Sequence, residues 1–265
     1  HCMNLEIHKN NTIQDLFSWL KYAEPAGGKK QWKEGRSAME FARYMTQKKN
    51  FLPIEIEKYL LSIGIKGKKY TCQPEHVTSY EGYDLGSGSG RHHDGLLTTS
   101  DAVIGIEAKV SESFDKSVKE KLDTAVKNSD KGFNTKKRII KSIELFTGND
   151  YSEFLNEIEN LNYQLISATT GTLIEAHKAN IGKAIVLILE FFGDIDYGNN
   201  KAAYDDQMNA NATAFENFLE FLNIKDKDDK HRKITANVKG KNIDIWFKKM
   251  TISISKADNN YTLIK

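Results

Sequence analysis

The sequence predicts an α/β fold built on a mixed β-sheet flanked by helices, and three observations predict it. Two short apolar runs, Leu96 to Thr98 and Val103 to Val110, are joined by Thr99-Ser-Asp-Ala102, which has the polar chemistry of a hairpin turn. A helix-patterned stretch, Ser152 to Gly182, then leads into the unbroken apolar run Ala184 to Phe192, which reads as a strand buried on both faces near the sheet centre. Helical and strand periodicities alternate along most of the 265 residues, enough chain for one large domain with a sizeable core.

Each element has its own signal. Ile13, Leu16, Phe17 and Leu20 recur at helical spacing within Thr12 to Tyr22, and Pro25-Ala-Gly-Gly28 ends that helix. Ser37 is a suitable N-cap for a second helix bearing Met39, Phe41, Ala42 and Tyr44, with Glu40 placed for a capping box. Pro53 opens a third helix that runs to Ile63 and stops at Gly64. Lys69 to Tyr80 alternates and is rich in β-branched residues, so it is expected as the first sheet strand. Gly82 to Gly90 is expected as a flexible loop; no strand and helix flank its glycines in the order a nucleotide-binding loop needs. Residues 111–149 read as a charged, helical insertion. Tyr204 to Leu222 is an amphipathic helix, Lys225 to Lys233 a charged linker, and Ile234 to Val238 with Ile243 to Phe247 a C-terminal hairpin that Thr251 to Ile254 could extend.

Chemistry concentrates in the segment from Arg91 to Val110. If the turn is centred between Ser100 and Asp101, the antiparallel register sets Asp94 opposite Glu107. Side-chain alternation puts Glu107 and Lys109 on one face and leaves the backbone carbonyl of Ala108 near the same corner. A hard cation such as Mg²⁺ takes oxygen ligands, usually one or two carboxylates plus waters and phosphate oxygens, so Asp94, Glu107 and the Ala108 carbonyl make a partial shell. Lys109 beside it could hold a water or stabilise charge on a phosphate. Glu and Lys two apart on a strand more often form a solvated ion pair. Here, however, they interrupt the apolar run Val103 to Ile106, where charges need partners or a metal. Of the two histidines before Asp94, which could bind a transition metal or contact phosphate, His92 is the accessory candidate because it shares parity with Asp94, whereas His93 points the other way.

Asp94 followed by Glu107-Ala108-Lys109 resembles the PD-(D/E)XK nuclease superfamily, with His93 in place of the proline of the motif's name. The run from Phe17-Ser-Trp-Leu20 through Gly35-Arg-Ser-Ala38 to Asn162-Tyr-Gln-Leu165 looks like a little-characterised bacterial branch of it. The resemblance implies a restriction-endonuclease-like core over about residues 36–192. It also implies Asp94, Glu107 and Lys109 as catalytic residues and Mg²⁺ or Mn²⁺ as cofactor. Glu40 and Gln164 become accessory candidates, though Ala168 stands where some relatives have a further Tyr. The implied activity is hydrolysis of phosphodiester bonds in DNA, in a setting of restriction or phage defence, as a homodimer or within a defence complex. The alternative is a non-catalytic nucleic-acid-binding or protein-interaction module on the same fold.

Composition sets the remaining bounds. The net charge is +2, but residues 111–142 hold nine Lys/Arg against five Asp/Glu and residues 225–249 hold nine against four, leaving the remainder at −7. Such asymmetry suits a polyanion-binding face, with Lys136, Lys137 and Arg138 as candidate phosphate contacts. Two cysteines, Cys2 and Cys72, cannot build a disulfide framework or a four-cysteine zinc site. No apolar run reaches the roughly eighteen residues of a membrane span, and no apolar signal core opens the sequence, so a cytoplasmic protein without membrane contact is expected.

Overall fold

The computed structural model describes residues 2–87, 89–128, 131–194, 200–255 and 260–263; residues 131–133 and 260–263 are described in backbone only. The elements in chain order are β1 Asn4–Lys9, β2 Asn11–Ile13, α1 Leu16–Tyr22, α2 Ser37–Thr46, α3 Ile54–Ser62, β3 Lys69–Thr78, β4 Arg91–Thr98 and β5 Val103–Lys109. They continue as α4 Val118–Lys127, α5 Lys131–Thr147, α6 Tyr163–Lys178, β6 Lys183–Gly193, α7 Lys201–Phe221, β7 Lys233–Val238, β8 Lys241–Ser255 and β9 Asn260–Leu263. The strands form one mixed sheet in the order β2-β1-β3-β4-β5-β6-β8-β7, with β9 also paired to β8.

The centre of the sheet follows from connection lengths. The tight turn after Thr98 allows only an antiparallel partner, and Thr99 N–H closes it on the Ala102 carbonyl at 3.0 Å. The long helical excursion through α4, α5 and α6 returns the chain as β6, parallel to β5 from Val103–Ala184 to Lys109–Glu190. β6 is parallel to β8 on its other side, and this interior position explains its continuous apolar run. Ile185, Leu187, Leu189 and Phe191 serve the core beneath α1 to α3, while Ala184, Val186 and Ile188 serve the core beneath α4 to α6. Each fully buried aliphatic side chain there contributes on the order of 1.5–3 kcal/mol.

The structure departs from expectation in several elements. Asn4–Lys9, unassigned from sequence, forms β1, and Asn11–Ile13, whose last two residues fall within the expected first helix, forms β2; β1 runs parallel to β3 with Leu5 and Ile7 inward, so β3 is the third strand. The first helix starts at Leu16, capped by Asp15 in a reciprocal bond pair with Ser18. Arg36, not Ser37, is the N-cap of α2; the Ser37 hydroxyl instead donates to Glu112 Oε2 at 3.2 Å. The helix expected over residues 152–182 is confined to α6 and what precedes it is largely irregular. Backbone bonds from Val118 N–H to the Leu161 carbonyl and from Tyr163 N–H to the Lys116 carbonyl tie that segment to the start of α4 instead. The insertion is helical as expected, and β7 with β8 forms the C-terminal hairpin, which β8 joins to the main sheet.

α6 settles close on the sheet because its buried middle turns are made of small residues. Ser167, Ala168, Thr169, Thr170, Gly171 and Thr172 are all buried. A Cβ on Gly105 of β5 would lie 2.1 Å from Thr172 Oγ1, so the glycine is what permits this approach.

Candidate functional site

The site lies where β4 and β5 part. Their ladder runs from Thr98–Val103 to Gly95–Ile106 and stops, while β5 stays paired to β6 as far as Lys109. Asp94, next in register after Gly95, opposes Glu107 as the turn centre predicts. Ala108 N–H, left without a strand partner on this side, donates to Asp94 Oδ2 at 2.7 Å. A strand residue sends its N–H and C=O toward the same neighbour, so the Ala108 carbonyl also faces the Asp94 side.

Glu107 is buried and held by three donors. Arg91 Nη2 bonds its Oε2, Gln164 Nε2 donates to its Oε1 at 2.5 Å, and Lys109 Nζ stands 3.0 Å from the same oxygen. Arg91 also donates from Nη1 to Ser167 Oγ at 3.1 Å, so α6 supplies both Gln164 and a support for the arginine. Glu75 of β3 completes a row of carboxylates across three strands, because Pro74–Gly95 and His76–His93 bracket Glu75 and Asp94. On the far side Glu190 of β6, fully buried, meets Lys249 Nζ at 2.9 Å and Asn211 Nδ2 at 2.7 Å. Asn211 also donates to the Glu112 carbonyl, which links α7 to the chain just beyond Lys109.

Electrostatics follow from five carboxylates crowded with Arg91, Lys109, Lys249 and Lys9. Burial and the Glu107 charge push the half-buried Asp94 carboxyl well above its ordinary range, against the pull of Lys109 and the Ala108 N–H. Burial pushes Glu75 up to about 7, with Lys9 and the Ala26 N–H opposing and Glu107 adding. Burial alone would lower Lys109, but Glu107, Asp94 and Glu112 outweigh it and raise it, so the side chain is an ammonium and not a free base near neutral pH. Burial raises the carboxyl of Glu112 in spite of Lys109 and Ser37.

Among the sequence candidates, Asp94, Glu107, Lys109 and Gln164 come together. Glu40 does not join them: its Oε1 accepts from Gly35 N–H at 2.9 Å and lies 3.7 Å from Arg43, so it serves the start of its own helix. His92 is exposed and its Nδ1 stands 3.4 Å from Glu75 Oε2; burial, Lys9 and Arg91 lower it, which leaves it neutral at pH 7. His93 is buried against Thr78 Oγ1 at 2.9 Å. Lys136 is exposed, Lys137 pairs with Asp84 at 3.4 Å, and Arg138 gives its guanidinium to the carbonyls of Leu85, Ser87 and Ser89. Arg138 therefore ties down the glycine loop expected to be flexible; Gly88 within that loop lies outside the described residues.

Arg91, Glu75, Glu190 and Lys249 were missed. Their contacts join strands and helices far apart in sequence, and only the arginine beside the acidic motif offered a local signal. Among the described residues no three His, Cys, Asp or Glu side chains converge as a ready cation shell. A groove of about 740 Å³ opens beside the site, lined by Ser87, Ser89, Lys116, Lys121, Asn134 and Tyr163. Its walls adjoin the acids through the chain, since Gly90 precedes Arg91 and Tyr163 precedes Gln164.

The geometry defines an α/β protein with a buried centre of carboxylates and cations at a strand opening. A family model described as a domain of unknown function (DUF6946) matches residues 12–252, and the chain belongs to that family. No curated protein and no solved structure matches it. No described helix is long and apolar enough to cross a membrane.

Proposed function

We propose that the chain is a divalent-metal-dependent endonuclease acting on DNA, built on a restriction-endonuclease-like core. The observation that carries this reading is the strand opening itself, where Asp94 takes the Ala108 N–H beside Glu107 and Lys109. The mixed strands β3, β4, β5 and β6 with α2 before them and α6 packed across them support it, because the PD-(D/E)XK resemblance implies a helix, three or four mixed strands and a helix across them.

The donor set fits a hard divalent cation. Asp94, Glu107 and the Ala108 carbonyl offer only oxygens, and the raised Asp94 carboxyl marks a place short of positive charge. A divalent ion held there supplies Lewis-acid polarisation of the scissile phosphate and a more acidic water. Lys109, kept charged by its carboxylate neighbours, faces the same corner and stabilises negative charge on a phosphodiester as it develops. Gln164 fixes the orientation of Glu107, and the groove with Lys116 and Lys121 leads a phosphate backbone toward them. A second reading, a nucleic-acid-binding module without catalysis, is favoured by one observation: Glu107 is already held by Arg91, Gln164 and Lys109.

Supercoiled plasmid decides between them. The enzyme reading expects nicking with Mg²⁺, none with EDTA, and loss of Mn²⁺ binding by calorimetry in Asp94→Asn, which keeps an acceptor for Ala108 N–H. Lys109→Ala should lower turnover by roughly 10²–10⁴-fold without weakening Mn²⁺ binding. Binding of plasmid without nicking at any divalent concentration would leave the module reading; undiminished turnover in Lys109→Ala would remove that residue from the chemistry.

A further inference from the structure

We infer that Arg91 is the resident cation of this centre. Its guanidinium holds the place of positive charge on Glu107 until a divalent ion takes that carboxylate, and the freed guanidinium then turns to a substrate phosphate. The inference rests on the metal reading above and adds an exchange to it.

Arg91 is buried and its contact with Glu107 Oε2 is direct, so a dication approaching that oxygen meets a positive charge already in place. The other oxygen is shared by Gln164 and Lys109. Arg91 Nε, like Gln164 Oε1, is buried without a hydrogen-bond partner, and for the arginine that deficit is one a new acceptor would relieve. The berth is nevertheless shaped for it. A Cβ on Gly171 of α6 would lie 2.6 Å from Arg91 Cγ and 2.7 Å from its Cβ, which explains a glycine in mid-helix.

The backbone cannot carry the exchange. Arg91 is paired with Thr78 in the β3–β4 ladder, and a Cβ at Gly90 would sit 1.6 Å from the Thr78 carbonyl oxygen, so the chain is pinned on the spot. Movement is left to the side chain. The polar groove is lined by Gly90 and Tyr163, the chain neighbours of Arg91 and Gln164, and is where the exchange sends the guanidinium. A guanidinium suits that second position because its planar fork matches phosphate oxygens two at a time. Metal and substrate binding are thereby coupled: the ion frees the group that the phosphate uses.

The test reads metal binding, not activity. Calorimetry with Mn²⁺ in the absence of nucleic acid compares the native chain with Arg91→Met and with Ser167→Ala, which removes only the second anchor of the arginine. Exchange predicts that Arg91→Met binds Mn²⁺ about ten-fold or more tightly than the native chain, the factor expected when a charge-assisted bond no longer competes. Ser167→Ala should move the same way by roughly two- to five-fold, and it keeps the test open if Arg91→Met does not fold. An arginine Nε–H resonance absent from Arg91→Met should shift as Mg²⁺ is added to the native protein. With a duplex oligonucleotide, the affinity gained on adding Ca²⁺ should shrink in Arg91→Met. Equal or weaker Mn²⁺ binding in both variants, with the native protein binding normally, overturns the exchange and leaves the metal reading standing. Absence of Mn²⁺ binding in all three proteins overturns both.

Discussion

Glu75 offers a prediction whose size can be worked from the structure. The residue stands opposite Asp94 in the carboxylate row, 9% exposed, with Lys9 Nζ bonded to its carbonyl at 2.6 Å and His92 3.4 Å from its carboxylate. Burial pushes its carboxyl from 4.5 up to about 7, a difference that corresponds to roughly 3 kcal/mol. Because the folded state holds this proton more tightly than the unfolded chain, stability is whole only below about 4.5, where the carboxyl is protonated in both states. It fades as pH rises, and above about 7 the ionised carboxylate costs the fold its full share. Glu75→Gln keeps the shape and removes the charge. It also keeps the same backbone strain, since both side chains must adopt the φ of +52° found here. Urea unfolding from pH 4 to 8.5 should therefore show the variant equal to the native chain near pH 4 and more stable by up to about 3 kcal/mol near pH 8. Asp94 titrates in both proteins, and losing the Glu75 charge relaxes it in the same direction, so the sign is secure. A stability difference that stays constant across pH would refute the reasoning, because only an ionising carboxylate makes the gap open through this window.

Two further outcomes test the surroundings. Gly171→Ala gains up to ~1 kcal/mol of helix propensity but drives a methyl into Arg91, so it should lower stability by about 1–2 kcal/mol net in thermal melts; a more stable variant would mean the arginine does not lie against α6. Lys121→Ala should reduce the log–log salt slope of oligonucleotide binding by roughly 0.9 for a duplex or ~0.7 for a single strand, and an unchanged slope would take the groove out of the path of the phosphates.

The hairpin was legible because two independent signals agree on it: turn chemistry centred between Ser100 and Asp101, and apolar runs whose alternation allows one register. Those signals carry Asp94, Glu107 and Lys109 into one corner, and Gln164 follows once α6 is placed over the sheet. Less local information could be read for the cations and acids around them. Glu190 reaches Lys249 across two parallel strands separated by a whole helix, and no periodicity within either segment encodes that meeting. The failure at residues 152–162 is of another kind. Phe154, Leu155, Ile158 and Leu161 do fall at helical spacing, but the carbonyls of Phe154, Leu155 and Ile158 close only three-residue turns while those of Glu159 and Leu161 accept from the start of α4, and a short pattern that cannot nucleate alone yields to these bonds. β1 shows the reverse: Leu5 and Ile7 alternate correctly, yet the run is too short to read as a strand without β3 beside it.

The strand opening explains why these charges are buried at all. Once β4 leaves β5 beyond Gly95, the Ala108 N–H loses its ladder partner while β5 remains fixed by β6, so an acceptor must come from a side chain. Asp94 meets that need with one oxygen and is thereby aimed at Glu107. Burial raises the Asp94 carboxyl, and Glu107 and then Glu75 raise it further, so the cluster is unstable without positive charge. Lys109 and Arg91 provide that charge internally, from residues within four positions of the two acids. The same arrangement that lets the strands part thus creates a carboxylate pair and the cations that balance it. On the proposed reading, a divalent ion and a phosphodiester would enter this centre by replacing charge that the fold already supplies.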